Sequence, residues 1–166
     1  MFSVYKTHYK FLYSKLVDLS RNIFFYKKIQ LKDNFESRIK LIFIHLSIIL
    51  IIFKEKNKRE FPQELFDNIF LNIEYHIREL GYGDVAVNKK MKELLHIFYD
   101  ILLKVKLPNT KKNIINISII KKYLEPQTDK ANQLTNDLAS YFENFYHFCF
   151  ELENDSVIKG KINFKY

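Results

Sequence analysis

The scarcity of glycine and proline limits the folds open to this chain more than any other feature. The 166 residues include three of each, and no long serine-rich run occurs. Hairpins and tight turns depend on such residues, so a protein made of many short strands would lack its turns. We therefore predict an all-α fold. With 48% apolar residues, the length suits one domain with one core.

Apolar residues recur at steps of three and four, which predicts a single-domain bundle of about six helices. Five are clear: about Ser3–Leu19, Asp33–Phe53, Pro62–Leu80, a helix through Met91 to Val105, and about Thr128–Glu153. The sixth segment, Ile114–Leu124, suits a helix or a strand. Residues 33–36 have the form of a capping box, and 54–60 are predicted as a charged connection. We expect one domain over residues 1–156 and a basic tail over 157–166, frayed from Gly160.

No catalytic or metal-binding motif appears. The five histidines lack His-Glu-x-x-His spacing, and there is no Cys-x-x-Cys pair, nucleophile elbow or phosphate-binding loop. We predict a protein that is not an enzyme and has no cofactor, no metal site and no small-molecule substrate. The lone Cys149 is expected in the core among phenylalanines. His45 is expected as a hydrogen-bonded core histidine rather than a haem ligand.

The longest uncharged stretch, Leu41–Phe53, is too short to cross a membrane. Its 13 residues would extend roughly 20 Å as a helix, against a hydrocarbon core of ~30 Å. We interpret it as a buried or an interfacial helix. The first residues do not resemble a secretory signal, so we expect a cytoplasmic protein.

The positive charge is concentrated in one part of the chain. The net charge is +8. Between Ala86 and Lys122 the sequence has two acidic residues, Glu93 and Asp100, and nine lysines, so this stretch carries a charge of +7; the lysines are 89, 90, 92, 104, 106, 111, 112, 121 and 122. Such a stretch favours anionic partners such as RNA or lipid head groups. The lysine-rich, alanine-poor composition is also expected of a protein encoded by AT-rich DNA. Codon bias of this kind would explain the lysines without an anionic ligand.

The junction between the third and fourth helices carries the most information about function. Gly81 and Gly83 are two of the three glycines, so the backbone there is expected to need positive φ or close approach. Asp84 or Asn88 could cap the fourth helix. Cations at that helix start oppose the dipole, so a role in binding would explain them better than stability does. The candidate binding residues are Arg78, Glu79, Gly81, Gly83, Asp84, Asn88, Lys89, Lys90, Lys92 and, further along, Tyr99. The alternative is a turn with solvated lysines, braced by an Arg78–Glu79 pair.

The run from Phe66 to Asp84 resembles the signature block of the ubiquinol–cytochrome c chaperone family. The block reads Phe-Asp, then Leu-Arg-Glu-Met-Gly-Val-Gly-Asp and a basic helix start; here it reads Ile77-Arg-Glu-Leu-Gly-Tyr-Gly-Asp84, followed by Lys89, Lys90 and Lys92. Upstream and downstream features agree in order, and the resemblance covers about residues 9–150.

The chain departs from the family pattern at several positions. Ile77, Leu80 and Tyr82 replace the usual Leu, Met and Val, and are expected to keep the packing. Asn88 stands where glycine is common. Asp100 and Ile101 replace a Gly-Arg pair, which puts any contact made there in doubt.

The resemblance implies a helical assembly chaperone that binds newly made cytochrome b for respiratory complex III. A small partner protein, and the ribosome or an anionic membrane surface, are further expected partners. A bacterial cytoplasmic protein peripherally associated with the inner membrane is expected, with an apolar groove that accepts the client. Two other interpretations stay open: a ribosome- or RNA-associated protein, and a peripheral membrane protein that binds through helix two and the lysines.

Overall fold

Seven α-helices and one π-helical turn make up the described part of the chain. The computed structural model describes residues 4–57, 61–108 and 113–166, with side chains for residues 10–56, 61–108 and 113–166. The helices are α1 (Val4–Ser20), α2 (Phe35–Asn57), α3 (Gln63–Glu79), α4 (Asp84–Lys104), α5 (Ile117–Tyr123), α6 (Ala131–Phe150) and α7 (Asn154–Ile158), and the π-helical turn is Phe24–Lys28. The all-α prediction is confirmed.

The segment that suited a helix or a strand is mainly helical. Ile117–Tyr123 forms α5, and Ile115 makes an isolated antiparallel bridge with Lys106. Asn116 caps α5 by accepting a hydrogen bond from the Ser118 amide at 3.0 Å. The described residues therefore contain no strand.

Helix α2 is the centre of the bundle and packs against α1, α4 and α6. Every residue from Leu41 to Ile49 is buried, because α1, α4 and α6 pack around this stretch. Of the two interpretations of the uncharged run, the buried one is confirmed, and binding of a membrane through helix two is wrong. In the described part of the chain, no helix combines the length and the apolarity needed to cross a bilayer.

The start and end of α2 differ from the predictions. Asn34 caps the helix by accepting a hydrogen bond from the Ser37 amide at 2.9 Å, whereas Asp33 pairs with Arg38 at 2.7 Å. The capping box at 33–36 is therefore wrong. The helix also continues to Asn57 instead of ending before a charged connection, and residues 58–60 of that connection lie outside the described residues.

His45 is a core histidine, as predicted. Its Nδ1 donates to the Leu41 carbonyl at 2.6 Å, and its Nε2 accepts from the Tyr141 hydroxyl at 2.9 Å. Burial lowers the pKa of His45 from 6.5 to about 4 and raises that of Tyr141 far above its usual range. Both ring nitrogens are occupied by protein partners. Cys149 is also buried, as predicted, and burial raises the pKa of its thiol to about 12.

The C-terminal segment packs on the bundle. Ile162 is 1% exposed, and the Phe164 ring lies 5.4 Å from the rings of Tyr141 and Phe145. Gly160 adopts φ +70°, and a Cβ at this position would lie 2.5 Å from the Phe11 carbonyl oxygen. The expected fraying from Gly160 is therefore wrong, while the domain boundary at residue 156 stays a prediction.

Candidate functional site

The corner between α3 and α4 is built by one left-handed glycine. Helix α3 ends at Glu79, Gly81 has φ +97°, and α4 begins at Asp84. The expected positive φ is thus confirmed for Gly81. Gly83 differs: its φ is −77°, and no atom of the described residues lies within 4 Å of an added Cβ. Among those residues, neither positive φ nor close approach explains Gly83.

Arg78 holds the two sides of the corner together. Its Nη1 contacts the Asp84 carboxylate and its Nη2 contacts Glu74 Oε1 at 3.0 Å. Hydrogen bonds to Asp84 and Glu74 raise the pKa of the guanidinium. The expected Arg78–Glu79 pair is wrong, because Glu79 lies on the side of His76, with 4.0 Å between His76 Nδ1 and Glu79 Oε2.

The lysines at the start of α4 lie in two different environments, one paired with a carboxylate and the others exposed to solvent. Lys90 contacts the Glu36 carboxylate on α2, which raises the Lys90 pKa, and its side chain is 21% exposed. Asn88, Lys89 and Lys92 are exposed. The prediction that Asp84 or Asn88 caps α4 is wrong. The N-cap position is occupied by Gly83, which has no side chain that could accept a hydrogen bond.

Tyr99 is not part of the corner. It lies 15 residues after Asp84 on α4, a separation of about 22 Å along the helix axis. The neighbouring Asp100 accepts hydrogen bonds from Lys104 at 2.5 Å, Lys122 at 2.6 Å and the Tyr123 hydroxyl at 2.5 Å. These hydrogen bonds hold the pKa of Asp100 well below its usual range and link α4 to α5.

The corner exposes large apolar side chains that the sequence analysis placed in the core or did not consider. We call them the corner patch; their exposed fractions are Tyr75 55%, Leu80 51%, Tyr82 47% and Val85 85%. The expectation that Leu80 and Tyr82 keep their packing is wrong. Both residues follow the last turn of α3, where the chain turns away from the buried stripe that ends at Ile77.

A groove with a volume of about 500 Å³ opens between α1, α2 and α3, beside the corner. Its lining combines apolar side chains with polar and charged ones: Tyr13, Val17, Ser20, Arg21, Asp33, Asn34, Phe35, Arg38, Ile39, Ile42, Ile73, His76 and Leu80. Within this lining, Phe35 stacks on His76 with 5.4 Å between ring centroids. Leu80 belongs to both the groove and the corner patch, so the groove reaches the patch at this residue.

Sequence reasoning found the charged part of this region and missed most of the apolar part. One signal was available for Val85, which falls outside the buried stripe of Val87, Leu94 and Phe98 on α4. The groove gave no such signal, because it forms only where three separate helices pack together. Among the described residues, no three His, Cys, Asp or Glu side chains lie close enough to hold a metal ion.

Comparison with known proteins identifies the family. The family model described as Ubiquinol-cytochrome C chaperone matches residues 27–142, more than two thirds of the chain. The structure resembles the crystal structure of the Cbp3 homolog from Brucella abortus, with a TM-score of 0.70 and 21% identity over 97% of this chain and 90% of that one, which shows a shared fold. No curated protein matches. The chain belongs to the ubiquinol-cytochrome C chaperone family, whose members are chaperones for the assembly of respiratory complex III.

Proposed function

We propose that this protein binds newly synthesised cytochrome b and holds it while ubiquinol–cytochrome c reductase is assembled. The observation that carries the proposal is the apolar groove, which runs into an exposed apolar patch at the corner. Cytochrome b is an integral membrane protein, so its helices are apolar and must be shielded from water before they insert into the membrane. An exposed apolar surface on a chaperone would shield them.

The dimensions of the groove suggest how much of a client it holds. About 500 Å³ lies within the range of ~300–1,000 Å³ that is usual for ligand pockets. That space accepts a few large side chains, but not a membrane-spanning helix of about 20 residues. We infer that side chains from one face of a client helix enter the groove while the same helix continues over the corner patch.

The charged residues at the corner suit a second role, in contacts with polar or anionic groups. Lys89 and Lys92 are exposed and make no ion pair with the described residues. Arg78 and Asp84 contact each other across the corner, so both charged groups already lie together where a client segment would meet them. In this proposal the protein binds its client without catalysis and acts in the bacterial cytoplasm at the inner membrane. A small partner protein is an additional subunit in this proposal.

A ribosome- or RNA-associated role is the second candidate, and the ion pairs weaken it. Of the nine lysines in the basic stretch, four make ion pairs with carboxylates: Lys90, Lys104, Lys106 and Lys122. Lys111 and Lys112 lie outside the described residues. Phosphate contacts would make RNA affinity fall steeply with salt, so weak salt dependence of ribosome binding would argue against this role.

The deciding experiment is affinity capture from native membranes with identification of the bound chains. The variant Leu80→Ser/Val85→Ser removes two exposed side chains of the corner patch, and Leu71→Ser, 42% exposed on α3, is the matched control. We expect the wild type and Leu71→Ser to retain cytochrome b and the double variant to lose it, with unchanged melting temperatures. Capture without cytochrome b, together with intact complex III in a deletion strain, would reject the proposal.

A further inference from the structure

Three large apolar side chains are exposed where α4 meets α5, at the end of α4 opposite the corner. Tyr99 is 49% exposed, Leu103 78% and Ile117 39%. Tyr99 and Leu103 are four residues apart and therefore share one face of α4. The Asn116 side chain donates to the Lys104 carbonyl at 2.9 Å, which places Ile117, the first residue of α5, beside the last turn of α4.

Three exposed lysines, Lys104, Lys121 and Lys122, lie close in sequence to these side chains at the ends of α4 and α5. Lys104 and Lys122 both contact the Asp100 carboxylate, yet their side chains stay 56% and 55% exposed. Lys121 lies four residues after Ile117, on the same face of α5, and reaches the Asn132 side-chain oxygen at 3.5 Å. Three cations and one carboxylate leave this surface at +2.

We propose that the surface formed by Tyr99, Leu103, Lys104, Ile117, Lys121 and Lys122, the α4–α5 patch, contacts an anionic phospholipid bilayer. The inference rests on the proposed membrane association and names the surface responsible for it. Apolar side chains ringed by lysines are typical of interfacial membrane sites, where the former enter the acyl boundary and the latter meet phosphates.

The aliphatic side chains favour lipid over RNA. RNA binding gains from aromatic rings that stack on bases, and the α4–α5 patch offers one such ring, Tyr99. Leu103 and Ile117 gain nothing comparable from RNA, whereas a bilayer removes their surface from water. Helix α4 has 21 residues and is about 30 Å long, so the bilayer contact and the corner patch do not compete for the same space.

The test is flotation of the purified full chain with vesicles of phosphatidylcholine, with and without phosphatidylglycerol. Leu103→Ser/Ile117→Ser removes apolar contacts, and Lys121→Glu reverses a charge that makes no ion pair among the described residues. We expect the wild type to float with the anionic vesicles, and each variant to lose about tenfold in vesicle affinity. The control Leu71→Ser should float like the wild type, and all melting temperatures should agree.

The outcomes separate this inference from the chaperone proposal. Variants that float like the wild type would overturn the assignment of the patch. A wild type that floats with neither vesicle would overturn membrane association itself, while capture of cytochrome b is measured independently. Retention on ribosomal RNA that the same substitutions abolish, without flotation, would also overturn the inference.

Discussion

Gly81 and Gly83 lie two residues apart in one connection but hold opposite backbone conformations, with φ +97° and −77°. A side chain at Gly81 is disfavoured by the left-handed region, so Gly81→Ala should lower the free energy of unfolding by about 1–2 kcal/mol. Gly83→Ser should not, because the position is open and serine is a good N-cap residue. Urea unfolding of both variants measures the difference.

The same pair distinguishes a folding role from a binding role for Gly83. If Gly83→Ser retains the wild-type stability but captures less cytochrome b, the glycine serves contact with the client. A loss of stability equal to that of Gly81→Ala would contradict this interpretation.

The buried His45 predicts a specific dependence of stability on pH. Its pKa is lowered from 6.5 to about 4 in the folded protein. Between these two pH values, His45 binds a proton in the unfolded chain but not in the folded protein. The resulting contribution is complete above pH 6.5 and is lost as the pH falls toward 4, by about 3 kcal/mol. Measuring the free energy of unfolding of the wild type and of His45→Gln between pH 4 and 6.5 isolates the contribution of His45. Parallel pH profiles for the two proteins would contradict it.

The Ser47 hydroxyl predicts a stabilising substitution. It is buried in α2 and has no hydrogen-bond partner among the described residues. Replacement by alanine removes an unsatisfied polar group and improves helix propensity, so Ser47→Ala should raise the free energy of unfolding by about 1 kcal/mol. Ser20→Ala is the matched control, because the buried Ser20 hydroxyl donates to the Val17 carbonyl at 2.7 Å. Equal losses of stability in both variants would count against the prediction.

The packed C-terminal segment predicts that substitutions there lower stability. Ile162→Ala removes a buried side chain and should cost about 2–5 kcal/mol. Gly160→Ala should also destabilise, because the added Cβ would meet the Phe11 carbonyl at a positive φ. The exposed Asn163→Ala is the control. Thermal melts in which all three variants match the wild type would mean that the segment is detached in solution.

Local spacing was enough to predict the five long helices, because burial of one face requires residues three and four apart. It left α5 open between helix and strand and did not predict α7. It failed where charged residues continue a helix. Glu55 lies in the last turns of α2, where it contacts Lys106 and accepts a hydrogen bond from Tyr146 at 2.6 Å. Partners so distant in sequence support a helical turn that its own composition did not predict.

The apolar half of the candidate site was hidden for a related reason. Leu80 continues the spacing of the buried stripe on α3, but the helix ends one residue earlier and the side chain becomes exposed. At the C-terminus, Ile162, Phe164 and Tyr166 alternate with polar residues, a pattern with period two that a search for helices overlooks. In both places the three-dimensional packing decided which residues are covered.

The burial of α2 between Leu41 and Ile49 bears on how a client of the proposed kind would leave. Because every residue of this stretch is buried, the bundle cannot separate there without exposing its core. In the proposed function, capture and release would then occur on the surface of the bundle. One client would then replace another by competing for the same apolar surface, and no conformational opening of the chaperone would be needed.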